Sequence, residues 1–161
     1  MFSSTGNRRP SIAGLSCLMF LTILVGLASA QQFAPATAEN AKQFAGTWKA
    51  QFQGKPFMTV KIGFKGDKLV GTVSHADIEV NDAGELTKAE ANETADPDPI
   101  TDAVVNGDLL RVTTKSEDGS GNGLQFDLKL VAKDEASLRL VVPPDVPGPK
   151  PWRLERVSAK P

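Results

Sequence analysis

Few side chains here are equipped for covalent or acid–base chemistry: one histidine, His75, one cysteine, Cys17, and no tyrosine, beside nineteen acidic residues. The sequence contains no Gly-x-Ser-x-Gly elbow, phosphate-binding glycine loop or His-rich metal motif. Those are the arrangements that bring a nucleophile to its base or a cation to its ligands. His75-Ala76-Asp77-Ile78-Glu79 alone puts an imidazole and two carboxylates at two-residue spacing. On a strand that spacing places all three on one face, and three protein ligands are what a catalytic zinc requires. Ala76, Ile78 and Val80 make the opposite face apolar, so continuous alternation turns the polar trio toward water. We therefore expect a protein that is not an enzyme and carries no metal or cofactor.

Two acidic stretches offer weaker cation sites. Asp118-x-Ser120-x-Asn122-Gly123 imitates the start of a calcium loop, but the twelfth position falls on Lys129, where a bidentate glutamate is needed. Glu90, Glu93, Asp96, Asp98 and Asp102 match no cation cage, and a solvated loop is the expected state. Asn92-Glu93-Thr94 fits a glycosylation sequon.

The elements that must position these residues begin after an export signal. Arg8 and Arg9 precede an apolar run from Ile12 to Leu27, and Ala28-Ser29-Ala30 supplies a small-x-small cleavage site. Cys17 lies inside that run, so it does not mark a lipid attachment site, and cleavage at Ala30 leaves a chain with no cysteine to staple it. The exported chain of 131 residues is one domain in size, and 16 basic residues face 19 acidic ones. A formal charge of about −3 argues against nucleic acid and anionic membrane surfaces as partners, because both need a concentrated positive field. After cleavage the location is secreted or periplasmic, with no membrane association.

Residues 1–30 are thus read as signal peptide, 31–43 as a flexible Ala-rich leader ending in one helical turn from Glu39 to Phe44, and 44–161 as a β domain. From Gly46 onward short alternating segments recur about every ten residues. Met58, Val60, Ile62 and Phe64 are expected inward on an early strand, as are Leu124, Phe126, Leu128 and Leu130, and then Leu138, Leu140 and Val142. Further strands are expected at about Lys68–Ser74, Ile78–Val80, Leu86–Ala91, Ile100–Val105, Asp108–Lys115 and Trp152–Val157. Gly66-Asp67 and Asn106-Gly107 read as two-residue hairpin turns. Short turns and no long helix favour an all-β fold, an antiparallel up-and-down barrel of about eight strands, since closure removes the sheet edges. A β-sandwich is the alternative. The proline-rich connection from Pro143 to Pro151 is expected to run extended over one end.

Gly46-Thr47-Trp48 on the first strand resembles the Gly-x-Trp signature of the calycins. The first hairpin is most similar to the avidins: Gly46-Thr47-Trp48, Gln51, Phe57 through Val60, then Gly71-Thr72 and Ser74. The resemblance implies that Trp48 packs across one barrel end beneath an arginine of the last strand, where Trp152, Leu154 and Arg156 alternate and Arg156 is the match. The avidin activity does not carry over. Ala50, Val73 and His75 stand where that family's ligand-contacting asparagine, tyrosine and serine would be, and a site built to hydrogen-bond a polar ligand does not keep its affinity without those groups.

Two uses of such a barrel follow: binding a small apolar molecule, or serving as a structural or protein-interaction domain filled by its own side chains. The candidate ligand-binding residues are Trp48, His75, Trp152 and Arg156. For His75 two counts disagree. Counting from Gly71-Thr72 puts Val73 and His75 inside, whereas counting back from Ile78 and Val80 puts Ser74 and Ala76 inside and His75 out. We expect His75 outward, because the inward placement requires a bulge between Ser74 and Asp77. N-terminal sequencing of the exported protein is expected to begin at Gln31; Met1 on protein held in a membrane contradicts the signal assignment.

Overall fold

Alternating apolar residues on successive strands can bury one face only if the strands share an interior, and here they share one tube. The computed structural model describes residues 32–90, 96–115 and 122–157, all within the compact unit Gln31–Pro161. The export signal with its cleavage site, the sequon at Asn92, Glu93, and the loop residues Asp118 and Ser120 lie outside the described residues.

The strands are β1 (Ala34–Pro35), β2 (Gly46–Phe52), β3 (Lys55–Lys65), β4 (Lys68–His75), β5 (Asp77–Val80), β6 (Leu86–Glu90), β7 (Asp98–Asn106), β8 (Leu109–Lys115), β9 (Asn122–Ala132), β10 (Glu135–Leu140) and β11 (Trp152–Val157). Eight of them close an antiparallel barrel in the order β2, β3, β4, β7, β8, β9, β10, β11 and back to β2. The pairings β7 with β8 and β11 with β2 exclude two separate sheets. The segments at Ile78–Val80 and Leu86–Glu90 do not join the wall, and Ala91, the last residue expected in the second, lies outside the described residues. As β5 and β6 they form a hairpin of their own.

The two ends of the barrel differ because the connections differ. The turns at residues 66–67, 107–108 and 133–134 all lie at one end, and Gly66 and Gly107 supply positive φ at the first central position. The second turn is thus Gly107-Asp108, one residue later than expected. The long connections, β4 to β7, β8 to β9 and β10 to β11, all leave from the other end, where Gln53-Gly54, both at positive φ, make the one tight turn. This second end is the mouth. Beside it Pro143 to Pro151 starts with a turn, Val146 N–H to Pro143 O, and then fastens to the β5–β6 turn through Lys150 N–H to Gly84 O, 2.7 Å.

The lumen is filled. Trp48, Phe44, Val60, Val73, Leu110, Val112, Phe126, Leu128, Leu138 and Leu154 are all essentially buried, and Met58 and Ile62 nearly so. Leu124, expected inward, is instead 41% exposed, because β9 begins at the mouth and its first residues extend beyond the packed layers.

Residues 34–41 do not behave as the flexible leader that their composition suggests. β1 pairs with β7, Ala34 opposite Val105, while Thr37 bridges to Lys68 on β4. β4 meets β7 directly only at Thr72–Pro99 and Val73–Asp98, so the leader completes the wall where those two strands diverge. Ala36 and Ala41 are buried there, and the expected helical turn is a short 3-10 segment, Lys42–Phe44.

Asp127, which alternation with Phe126 and Leu128 turns to the outer face, is nonetheless only 3% exposed. It does lie on the outer face, but Arg111 on β8 and Arg139 on β10 stand directly opposite it and donate to both carboxylate oxygens, at 2.7 and 3.1 Å and at 2.7 Å. The Phe33 ring, 4.9 Å from the Arg111 guanidinium, covers the cluster. Burial pushes the Asp127 carboxyl up, and the two guanidinium groups overcome it, holding the pKa below the ordinary value. A carboxyl held lower in the fold adds stability above its unfolded pKa of about 3.9 and loses it as pH falls from there through the folded value. Asp127→Asn is expected to cost about 2 kcal/mol at neutral pH, and its stability gap from the parent in urea unfolding should narrow below about pH 4.

Candidate ligand-binding site

The four candidate residues separate into two pairs at opposite ends of the barrel. At the tight-turn end, Trp48 on β2 lies directly opposite Arg156 on β11. The Arg156 guanidinium stacks over the indole, 4.1 Å from the ring centroid. Trp48 is fully buried, and its Nε1–H donates to Phe44 O at 2.8 Å. Arg156 donates to Ala45 O, to Gln43 O at 2.7 Å and to Lys133 O at 2.9 Å. Asp134 Oδ1 lies 3.1 Å from its Nε as an ion-pair partner, without a linear hydrogen bond. Gly46, at φ +125°, makes room, because a Cβ there would stand 3.3 Å from Arg156 Nη1. The guanidinium is engaged by these backbone carbonyls and by Asp134, so the pair closes this end of the barrel.

The mouth is different. Met58, His75, Ala76, Asp77, Ile78, Leu124, Phe126, Leu140 and Trp152 line a half-open pocket of about 200 Å³. Trp152 is 8% exposed and meets Phe57 edge to face, with centroids 5.6 Å apart at 85°. Its Nε1–H is buried without an acceptor among the described residues. Among the described residues the lining is apolar apart from His75 and Asp77 and contains no hydroxyl or thiol.

His75 is not outward. It lies opposite Met58 as Val73 lies opposite Val60, so it shares the inner face of β4 and reaches the pocket. The first count holds as far as His75 and the second only from Ala76 onward, because the strand breaks at Ala76. Ala76 is buried and donates its N–H to Phe57 O at 2.7 Å, after which β5 starts with Ile78 turned back toward the core. His75 Nε2 is 3.5 Å from Asp98 Oδ2 on β7, and Nδ1 is 3.3 Å from Ala76 O. A proton on either nitrogen therefore finds an oxygen, and the ring is held at the pocket edge with 29% of its side chain exposed.

Asp98 was legible only as one member of an acidic stretch. The structure assigns it to His75, and among the described residues no three His, Cys, Asp or Glu side chains converge as a metal site. Asn122 and Lys129 both lie within β9, so the far end of the calcium-loop imitation is strand. Comparison with known proteins found no matching family model, curated protein or solved structure.

The two tryptophans should respond differently to the same change. Trp48→Phe loses a hydrogen bond and weakens a cation–π stack, whereas Trp152→Phe removes a donor that has no acceptor among the described residues. We expect Trp48→Phe to be more destabilising by about 1–2 kcal/mol in chemical unfolding.

Proposed function

We propose that this chain is an exported, calycin-like barrel whose role is to bind a small, mainly apolar molecule at its mouth. The observation that carries the reading is the pocket of about 200 Å³ among Met58, Phe126, Leu140 and Trp152, with His75 as its inward polar group. Its size sets the scale of the ligand. A dry cavity of about 150 Å³ holds one benzene, whereas drug-sized ligands occupy roughly 300 Å³ or more. The ligand is therefore a single ring or a short chain.

Below the pocket, Phe126, Leu128, Leu138 and Leu154 fill the lumen, so the ligand sits at the mouth and does not enter the barrel. The stacked Trp48–Arg156 pair at the far end supports the calycin part of the proposal; neither residue contacts the ligand. Binding is favoured over catalysis because, among the described residues lining the pocket, none sets a hydroxyl or thiol beside the His75–Asp98 pair to be activated as a nucleophile. Export is supported by the sequence pattern around Ala30. Polar Thr47, Lys49, Thr59 and Lys61 on the outer face of β2 and β3 suit a barrel bathed in water, since a membrane barrel turns its apolar side outward.

The filled lumen also favours the second reading, a structural or interaction domain with no ligand. Native mass spectrometry of the protein exported by its own host separates the two. The ligand reading expects a retained small molecule that is lost from His75→Ala at unchanged thermal stability. Bare protein after gentle isolation, with no mass shift in either form, favours the ligand-free domain.

A further inference from the structure

The charges around the mouth narrow the ligand further, provided the mouth is a binding site as proposed above. Among the described residues, His75, Asp77 and Asp98 are the ionisable groups at the pocket and its immediate edge. Two carboxylates against one imidazole leave the edge negative in either protonation state of the ring. Of the cations on elements that reach this end, Lys55 and Lys115 stand exposed at the ends of β3 and β8, whereas Lys88 and Lys150 are already engaged. Lys88 on β6 bridges Glu79 and Glu90, both at 3.1 Å, and Lys150 from the proline-rich connection pairs with Glu85 at 2.8 Å. Across the β5–β6 hairpin Asp77 faces Glu90, a like charge, and Lys88 reaches Glu90 instead of Asp77. Among the described residues Asp77 is thus an exposed carboxylate without an ion-pair partner, standing at the rim of an apolar pocket.

We infer that the mouth binds a small hydrophobic amine, an apolar ring or short chain carrying one ammonium group, and discriminates against carboxylates of the same shape. The apolar body lies between Met58, Phe126, Leu140 and Trp152, and the ammonium group remains at the water boundary beside Asp77. There its hydration is only partly lost, and so the cost of placing a charge in an apolar site is avoided. Asp98 supplies a second negative group, spaced from the ligand by His75. A carboxylate ligand meets two like charges instead, a penalty that a surface setting reduces but does not cancel.

Three isosteric probes test this: 2-phenylethylamine, 2-phenylethanol and phenylacetate, each titrated into the mature full chain at low salt while the Met58 methyl and Trp152 indole NMR signals are followed. We expect the amine to bind about tenfold tighter than the alcohol, the magnitude of one partly screened charge pair at a protein surface, and the acid to bind most weakly. Asp77→Asn, a change at an exposed position, should reduce the amine-to-alcohol ratio to about twofold or less, as should added salt. A carboxylate that binds as well as the amine, or an amine preference that survives both Asp77→Asn and salt, overturns the inference while leaving the pocket as a binding site. If none of the three probes moves the Met58 and Trp152 signals, the binding-site reading fails and the inference fails with it.

Discussion

An eight-stranded barrel encloses a lumen only just wide enough to be filled by side chains or to hold one small molecule. In this chain the arginine at the tight-turn end decides how that space is used. Arg156 joins the approach to β2, through Gln43 and Ala45, to the β9–β10 turn, through Lys133 and Asp134, while lying flat on Trp48. The first and last strands of the wall are thereby fastened across a gap of more than a hundred residues in sequence. With that end sealed, the apolar layers above Trp48 pack outward until they run out at the mouth. The mouth pocket is what remains when a filled barrel ends in long connections instead of tight turns.

The same constraint divides labour between the ends. Two-residue turns at the sealed end leave little chain free to move, whereas the connections at the mouth carry a hairpin, a proline-rich segment and the ionisable groups His75, Asp77 and Asp98. Binding residues held on loops and strand ends above a rigid scaffold are the usual arrangement in such folds. The proline-rich segment contributes stiffness without regular secondary structure, since each proline limits what the unfolded chain can explore, and Lys150 fastens it to the β5–β6 turn.

Much of this was legible in the sequence, because period-two alternation is a local signal. Met58, Val60 and Ile62, then Phe126 and Leu128, were readable as inward from their own strands, and the closed barrel followed from turn spacing. What escaped depended on partners distant in sequence. Asp127 reads as a solvent-facing alternant until β8 and β10 place an arginine on each side of it. The leader reads as flexible because β1 has only two paired residues, and their partners lie about seventy positions along, on β7. His75 was ambiguous for a different reason: a one-residue break at Ala76 reverses the face of everything after it, and no residue type there announces the break.

The central claim is that the barrel is solid from Trp48 upward and open only at the mouth. Crystals of the protein pressurised with xenon test it most directly, because xenon enters dry apolar cavities with little dependence on their chemistry. The account predicts xenon density among Met58, Phe126, Leu140 and Trp152 and none in the lumen between Trp48, Leu110 and Leu128. Xenon in that lower lumen, or a mouth that takes up none, would contradict it.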